Sequence, residues 1–492
     1  MTLEKNIFVP LIIDNIDVKL PENSLTFKPD SSNASTNTNL NVIAQGTDVA
    51  NCHAAVDSCV RAFESWRATP PAARRALLLR LAELLRSKGP EILQIMREEI
   101  HASSQWATIN LEESILMIQE TAALVTSPSL AGSIPSSQDP EGHALIFVEP
   151  LGVILGIAPW NSPLILGFRA CLPAIAAGNT VILKGSELSP RIHYFIVSLF
   201  REAGFPPGVC NFLLHRGTDA ATVFEELIER HEVRKCNFTG STPVGRRIAS
   251  KAAAKLKPSL MELGGKNFAV VLGDADIQQA AEMVCEGAFL NNGQICMSTD
   301  TVLVAQSIFA EFRQALLSIL QDPQRAPEIT SLITTAAAYR VHNLVADAVA
   351  KGATAHTILG ASSSWMHATP GKTLAEVPAT VIEGVRRNMD ISTQEAFGPL
   401  LCLVPFEVEE DAITIINACK YGLSSSIHTR SHYHALLLSK KLNVSATHIN
   451  GSTVHDESTL PHGGHGDSGW GRFGGHWGLS EFVHTKTVMM KK

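Results

Sequence analysis

Hydrophobic residues in the first 125 positions repeat at the three-to-four-residue spacing of amphipathic helices. The clearest stripe contains Leu77, Leu78, Leu81, Leu84 and Leu85. The pattern predicts helices over residues 47–63, 72–88, 91–99 and 111–125. Before them we expect a short strand and, at residues 30–41, an exposed loop rich in Ser, Asn and Thr.

From residue 144 the pattern changes to short apolar runs that alternate with helical segments. The strands are predicted at 145–149, 152–157, 180–183, 211–214 and 235–238, with helices over 164–177 and 190–203 among the segments between them. Such alternation predicts a doubly wound α/β domain, a parallel sheet with helices on both faces. A ligand of such a sheet usually lies beyond the carboxyl ends of its strands.

A second alternating block begins at Phe268 and predicts a second doubly wound parallel-sheet domain. Its predicted strands are 268–272, 301–304, runs near Thr354 and Thr380, and 395–406; its predicted helices are 277–290, 307–320, 334–350, 409–418 and 431–441. Residues 127–142, rich in Ser, Pro and Gly, are predicted to form an extended arm, and a glycine-rich tail ends the chain.

Length and composition narrow the functional classes. A chain of 492 residues is too long for one core and predicts two or three domains. The net charge of −7 argues against nucleic acid or an anionic membrane as a partner. Nine cysteines without a Cys-x-x-Cys pair indicate a reducing compartment, and we expect a cytoplasmic protein.

The uncharged segment 150–168 is long enough to suggest a membrane span. It contains three prolines, with Asn161 between the last two, and Arg169 follows it. A buried strand, a turn and the start of a helix fit this composition better.

Three motifs favour a structural interpretation. Residues 469–474 match the dinucleotide spelling G-x-G-x-x-G, but they do not open a βαβ unit. Residues 240–245 begin like a phosphate loop but lack its Lys-Ser/Thr pair. The tail histidines His462, His465 and His476 lack a recognised metal-ligand spacing, so a packed or solvated loop is favoured there.

Cys296 follows the turn Asn291–Gln294, which we expect to be flexible, and lies between a predicted helix and a predicted strand. A thiol at such a junction can face a cleft. Taken alone, it is more often a buried inert cysteine.

Other polar residues lie where predicted strands end. Asn161, in Pro-Trp-Asn-Ser-Pro, could donate its amide to an oxyanion, whereas Glu262 alone indicates a surface or capping acid. Lys184 and Glu187 could bind ribose hydroxyls or form a solvated charge pair. Residues 239–242 precede a helix and could bind phosphate or simply cap that helix.

Six short elements occur in a fixed order: Pro-Trp-Asn (159–161), Lys-x-x-Glu (184–187), Gly-Ser-Thr (240–242), Glu-Leu-Gly-Gly (262–265), Gly-Gln-x-Cys (293–296) and Glu-Ala-Phe-Gly-Pro (395–399). With these elements the sequence resembles the aldehyde dehydrogenase superfamily over essentially its whole length. The resemblance implies NAD(P)-dependent oxidation of an aldehyde to the carboxylic acid, without a metal.

The resemblance also assigns roles to individual residues. Cys296 would be the nucleophile, Glu262 the general base, and Asn161 a donor to the oxyanion together with the Cys296 backbone N–H. Cofactor contacts are implied for Trp160, Lys184, Glu187, Gly240, Ser241, Gly245, Leu263, Glu395 and Phe397. Because Glu187 would repel a 2′-phosphate, NAD is favoured, with NADP as the alternative.

Residues 161–169 and 449–457 resemble the salicylaldehyde and vanillin dehydrogenase branch, which implies an aromatic or conjugated aldehyde. Phe168, Ile295 and Met297 would then line an apolar pocket. Arg169 would face a substrate hydroxyl or carboxylate, or act as a structural ion-pair partner. An aliphatic or polyketide-type aldehyde, or a cysteine-dependent esterase or hydrolase, are the alternatives.

The resemblance divides the chain into a cofactor domain (1–127 and 145–263), a catalytic domain (264–465) and an oligomerisation element (128–144 and 466–492). It implies a homodimer or homotetramer. Three positions depart from the pattern of many relatives: Gly185 replaces a common proline, Thr301 a common arginine, and Phe473 a common acidic residue.

Overall fold

The computed structural model describes residues 5–20, 25–29, 40–357 and 377–491. Most of the predicted loop at 30–41 lies outside these residues. The strands are β1 (Lys5–Val9), β2 (Leu11–Ile13), β3 (Ile16–Val18), β4 (Thr26–Phe27), β5 (Leu40–Gln45), β6 (His143–Pro150), β7 (Val153–Ile157), β8 (Thr180–Lys184), β9 (Cys210–Leu213), β10 (Val233–Thr239), β11 (Ser259–Glu262), β12 (Asn267–Val271), β13 (Thr299–Ala305), β14 (Thr354–Thr357), β15 (Thr380–Glu383), β16 (Leu400–Phe406), β17 (Ser424–His428), β18 (Ala446–Ile449), β19 (Gly469–Trp470) and β20 (Val483–Met490).

The helices follow the predicted stripes closely, with shifts at their ends. They are α1 (Val49–Arg67), α2 (Pro71–Ser87), α3 (Gly89–Ile100), α4 (Ser104–Leu124), α5 (Pro163–Ala176), α6 (Pro190–Glu202), α7 (Ala220–Glu229), α8 (Thr242–Ala254), α9 (Ile277–Phe289), α10 (Phe309–Gln321), α11 (Thr335–Ala350), α12 (Glu409–Asn417), α13 (His432–Ser439) and α14 (Gly475–Ser480). The largest shift is in α4, which begins seven residues before the predicted 111 because the Ser103 hydroxyl caps it by accepting from the Trp106 N–H.

In the described residues, the first large sheet has the strand order β19-β11-β10-β7-β8-β9-β2-β3. The neighbours from β11 to β9 are parallel, and every residue of β7 and β8 is buried. Their continuous apolar sequences suit a sheet covered on both faces. The register places the last residue of β11, Glu262, beside Thr239 of β10, and Lys184 beside Ile157. The carboxyl ends of these strands therefore form one polar edge.

The second large sheet has the order β14-β15-β16-β13-β12-β17-β18 and is parallel except at β14. Two smaller sheets accompany it. One joins β1, β5 and β4, and the other pairs β20 with β6 over eight residues. The predicted mixed α/β fold with parallel sheets is confirmed; the exact domain boundaries stay a prediction.

The uncharged segment 150–168 contains β7 and the first turns of α5, as expected. Within the described part of the chain, none of the helices has both the length and the hydropathy to span a bilayer. The C-terminal segment also contributes to the first sheet, because β19 pairs antiparallel with β11 at Met261 and Glu262.

Candidate active site

Cys296 follows a sharp turn at the end of α9. Asn291, Asn292 and Gly293 all have positive φ values, of 50°, 56° and 68°. At Gly293 a Cβ atom would lie 2.2 Å from the Gly398 carbonyl oxygen, so only glycine fits there. Asparagine tolerates the left-handed region better than most residues, which explains the two positions before it.

This turn is buried and held by side-chain hydrogen bonds, so the prediction that it is flexible is wrong. The Asn292 amide oxygen accepts from the Thr330 N–H at 2.9 Å, and its nitrogen donates to the Ser331 carbonyl at 3.2 Å. The Gln294 side chain accepts from the Ile333 N–H at 3.1 Å. In the sequence, these polar side chains suggest an exposed turn. In the structure, they form hydrogen bonds with buried backbone groups.

Asn161 lies at the end of β7 and is almost fully buried. Its backbone carbonyl accepts from the Trp106 indole N–H at 3.0 Å and from the Asn291 amide at 3.1 Å. Its own side-chain nitrogen donates to the Gln294 carbonyl at 3.0 Å. The Asn161 amide is thereby fixed against the loop that carries Cys296.

Glu262 is 1% exposed, and among the described residues neither of its carboxylate oxygens has a hydrogen-bond partner. A buried carboxylate without partners is costly and therefore rare in a purely structural role. This position overturns the interpretation of Glu262 as a surface or capping acid.

The Cys296 thiol is partly buried, and its sulfur lies within 4.8 Å of a Glu262 oxygen. Burial raises the pKa of the thiol well above its usual range, and the negative charge of Glu262 adds to this shift. The Cys296 carbonyl accepts from the Asn267 amide at 2.8 Å, which fixes the backbone of the loop.

A cavity of about 590 Å³ opens beside these three residues. It extends over the carboxyl ends of β7, β10 and β11 and reaches residues 393–397, the loop that precedes β16 of the second large sheet. Its lining includes Trp160, Asn161, Gly240, Ser241, Glu262, Leu263, Cys296, Glu395 and Phe397. Sequence reasoning selected all nine of these residues.

The walls of this cavity pack tightly. A Cβ atom at Gly245 would lie 2.4 Å from Leu263 Cδ2. The Trp160 and Phe397 rings meet edge to face with centroids 5.8 Å apart. Glu395 accepts from the Gly265 N–H at 3.0 Å, and burial raises the pKa of its carboxyl to about 8.

Lys184 is the last residue of β8, Glu187 lies three residues after it, and neither is among the residues that line this cavity. The Lys184 ammonium is buried and contacts the His215 Nε2 atom, and burial lowers the pKa of Lys184 to about 8. The interpretation of Lys184 as part of a solvated charge pair is therefore wrong.

The four residues assigned to the aldehyde pocket have different surroundings. Phe168 is fully buried, and its ring lies 6.1 Å from that of Phe200 in the core of the first sheet. This position argues against the predicted role of Phe168 in the pocket wall. Ile295 and Met297 are buried beside Cys296, and Thr453 donates to the Met297 carbonyl.

Arg169 forms an ion pair with Asp456, and its guanidinium lies 5.6 Å from the centre of the Phe473 ring. These contacts fit the structural alternative for Arg169. Many relatives have an acidic residue at position 473. Here the aromatic ring of Phe473 interacts with the Arg169 guanidinium instead.

His462, Asp456 and Trp106 also belong to this region, although sequence reasoning assigned none of them to the site. His462 Nε2 is 3.8 Å from Glu262 Oε1, and His462 Nδ1 is 3.7 Å from Asp456 Oδ1. No sequence spacing connects His462 with Glu262. They lie close together in the fold, where β19, seven residues after His462, pairs with β11. Asp456 lay within the segment that suggested the aryl-aldehyde branch, and that was its only signal.

Comparison with known proteins agrees with this geometry. Residues 24–488 match the model of the aldehyde dehydrogenase family. Vanillin dehydrogenase from Pseudomonas fluorescens is 37% identical over 444 residues, which are 89% of each chain. Salicylaldehyde dehydrogenase from Pseudomonas sp. (strain C18) is 36% identical, also over 89% of each chain.

A solved structure shows the same fold. Salicylaldehyde dehydrogenase from Pseudomonas putida G7, complexed with salicylaldehyde, aligns with a TM-score of 0.91 and 33% identity, over 99% of this chain and 98% of that one. The family match spans nearly the whole chain, and the identity exceeds 30% over most of it. The protein is therefore a member of the aldehyde dehydrogenase family.

Proposed function

We propose that the protein oxidises an aromatic or conjugated aldehyde to the carboxylic acid with NAD, through a thiohemiacetal and a thioester on Cys296. The observation that carries this proposal is the convergence of Cys296, Glu262 and Asn161, from three separate elements, on one side of a 590 Å³ cavity. The vanillin and salicylaldehyde dehydrogenases among its relatives support the aryl substrate.

The first step requires a thiolate. Because the pKa of Cys296 is raised, its resting form is the thiol, and a base must take the proton as the sulfur attacks the carbonyl carbon. Glu262 is the carboxylate next to the sulfur. We assign this proton transfer to Glu262.

The attack places a negative charge on the substrate oxygen. A side-chain amide has two N–H donors, and Asn161 uses one on the Gln294 carbonyl. We assign the other to the oxyanion, with the Cys296 backbone N–H as the second donor. Loss of such a donor typically lowers the rate by about 10²–10³-fold.

The cavity suits a dinucleotide. Ser241 precedes α8, whose first N–H groups face the end of the sheet, and Gly245 allows Leu263 to approach the helix closely. Trp160, Gly240, Ser241, Gly245, Leu263, Glu395 and Phe397 would hold the cofactor there, and Lys184 and Glu187 its ribose. When bound, a nicotinamide accepts the hydride that leaves the thiohemiacetal carbon. NAD is the proposed cofactor because of Glu187, with NADP as the alternative.

Hydrolysis of the thioester completes the reaction. Glu262 takes a proton from water, the oxygen of that water adds to the acyl carbon, and the carbon–sulfur bond breaks. The burial of Glu262, with no hydrogen-bond partner among the described residues, leaves both of its oxygens available for this role. The acid favours hydrolysis over transfer of the acyl group to a thiol acceptor.

The substrate class is the most specific part of the proposal. Ile295 and Met297 flank the nucleophile and supply apolar surface for a ring, whereas Arg169 is already paired with Asp456. An aliphatic or polyketide-type aldehyde is the alternative substrate. We also infer a homodimer or homotetramer that uses residues 128–144 and 466–492, where β6 and β20 form a separate two-stranded sheet.

A panel of aromatic, aliphatic and semialdehyde substrates, monitored by NADH absorbance, tests the proposal. We expect the highest kcat/KM for an aryl aldehyde and a higher kcat/KM with NAD than with NADP. Cys296→Ala should abolish turnover, and Cys419→Ala, at the other partly exposed cysteine of the described chain, should retain it. Near-normal turnover by Cys296→Ala would contradict the proposal.

The base role has its own test. Glu262→Gln should release NADH in one burst, slowed because Glu262 also takes the thiol proton, and then turn over more slowly still as acyl-enzyme accumulates. Full steady-state turnover by this variant would exclude Glu262 as the base. Faster ester hydrolysis without cofactor than aldehyde oxidation with it would favour a hydrolase.

A further inference from the structure

The segment 455–462 brings a titratable side chain, His462, next to Glu262. His462 is nearly buried, and its two ring nitrogens face two different carboxylates. Nε2 lies 3.8 Å from Glu262 Oε1, and Nδ1 lies 3.7 Å from Asp456 Oδ1. Asp456 in turn pairs with Arg169. One side-chain atom each of Glu262, Cys296 and His462 lies within 4.8 Å of the other two, so His462 lies beside both the carboxylate and the sulfur, with Asp456 and Arg169 behind it.

Asp456 supplies a fixed negative charge behind His462. Burial tends to raise the pKa of Asp456, but Arg169 and, next, His462 outweigh burial and hold the pKa at about 2. An anion facing Nδ1 favours a proton on that nitrogen. The lone pair of the neutral imidazole then belongs to Nε2, the nitrogen that faces Glu262.

Glu262 needs a neighbouring group that can accept its proton. After it takes a proton from the hydrolytic water, it must lose that proton before the next turnover, yet neither oxygen has a hydrogen-bond partner among the described residues. His462 Nε2, which also has no such partner, is a basic nitrogen directed at Oε1.

We propose that His462 is a positioning residue for Glu262 and accepts its proton during thioester hydrolysis, with Asp456 as the counter-charge. The hydrolytic water loses a proton to Glu262, its oxygen bonds to the acyl carbon, and the carbon–sulfur bond breaks to leave the Cys296 thiolate and the acid. The proton then moves from Glu262 to His462 Nε2 and leaves the imidazolium for solvent, and the Cys296 thiolate takes up a proton from solvent to restore the resting thiol. No oxidant or reductant is consumed.

The present distances exceed those of hydrogen bonds, so the transfer requires a shift of about 1 Å or one bridging water. Catalytic hydrogen bonds are commonly long in structures without substrate. The charged and titratable groups that act on this region are Glu262, Cys296, Asp456, Arg169, His448 and His455, together with Glu395 on the cavity side and Glu113 and Glu457 near Asp456. The rings of His448 and His455 are 5.3 Å apart; His455 is exposed, whereas the Nε2 atom of His448 is buried.

The test measures deacylation alone. Cys296 is acylated with a stoichiometric p-nitrophenyl ester in the absence of cofactor, excess reagent is removed, and loss of the acyl mass is followed by intact mass spectrometry from pH 5 to 9. His462→Gln retains polarity and His462→Phe retains the ring shape. Both variants should deacylate about tenfold or more slowly than the wild type and change the pH profile of deacylation.

The matched control is His465→Gln, an exposed histidine in the same tail. We expect it to deacylate at the wild-type rate, and we expect the two His462 variants to acylate at the wild-type rate. Unchanged deacylation in either His462 variant would overturn the inference. So would an equal fall in acylation and deacylation, because that result would indicate a structural role.

The inference rests on the proposed function only through the roles of Cys296 and Glu262. Its failure is distinguishable from failure of that function. An enzyme that oxidises aldehydes normally but is insensitive to His462→Gln refutes the relay alone. An enzyme that is not acylated at Cys296 refutes both.

Discussion

The Trp106 indole N–H donates to the backbone carbonyl of Asn161, 3.0 Å away, and so connects α4 to the residue assigned to the oxyanion. Trp106→Phe keeps most of the buried ring but removes this donor. A net hydrogen bond is worth about 1 kcal/mol, so we expect kcat to fall by up to about fivefold. Asn161→Ala should cost far more, about 10²–10³-fold.

Steady-state kinetics with the best aldehyde check this prediction. Trp470→Phe is the matched control, since the exposed Trp470 also donates its indole N–H to a backbone carbonyl, that of Ser259. If Trp106→Phe and Trp470→Phe have the same small effect on kcat, the bond to Asn161 has no catalytic importance.

Gly245 is required by contact with Leu263. In Gly245→Ala the new Cβ atom would lie 2.4 Å from Leu263 Cδ2, and we expect overpacking to destabilise the fold by about 1–3 kcal/mol and to raise KM for the cofactor. Leu263→Ala removes the opposing atoms. The double variant should therefore lose less stability than the sum of the two single variants, measured by urea unfolding; strict additivity would show that the clash is not the cause.

The Arg169–Asp456 pair lies beside the active site and is largely buried, with side chains 6% and 21% exposed. Asp456→Asn leaves the guanidinium without its counter-charge, and we expect a loss of about 3–5 kcal/mol in the free energy of unfolding. Arg169→Met in the same background should restore part of it. The control is Glu282→Gln, which breaks the exposed ion pair with Arg325 and should change the free energy of unfolding little. If it loses as much stability as Asp456→Asn, burial of the ion pair is not the cause of the loss.

Glu395 predicts a pH dependence of stability. Burial raises the pKa of its carboxyl from an ordinary 4.5 to about 8 in the folded protein. The folded state therefore favours the protonated form, and this contribution is full below about pH 4.5 and is lost as the pH rises to about 8.

We therefore expect the stability of the wild type, relative to Glu395→Gln, to fall between pH 5 and 8. Urea unfolding of both proteins without cofactor at several pH values measures this difference. A difference that does not change with pH would contradict the raised pKa of Glu395.

Six ordered motifs, through the family resemblance that they carry, selected Cys296, Glu262 and Asn161, and the structure places all three around one cavity. Their catalytic roles stay predictions. Pairwise contacts between distant segments escaped prediction. Phe168 lies in the segment that resembles the aryl-aldehyde branch but packs against Phe200, and His462 has no local signal but faces Glu262. The direction of a side chain depends on its tertiary neighbours, which local sequence does not encode.

The two-residue strand β19 has a consequence for the order in which the enzyme is made. It pairs with β11 at Glu262, and the Ser468 carbonyl accepts from the Leu263 N–H at 3.0 Å. The base therefore acquires its final surroundings only when the tail docks. A growing chain that already contains Cys296, Glu262 and Asn161 but not β19 would lack this support, so activity should arise only after β19 has been made and has docked.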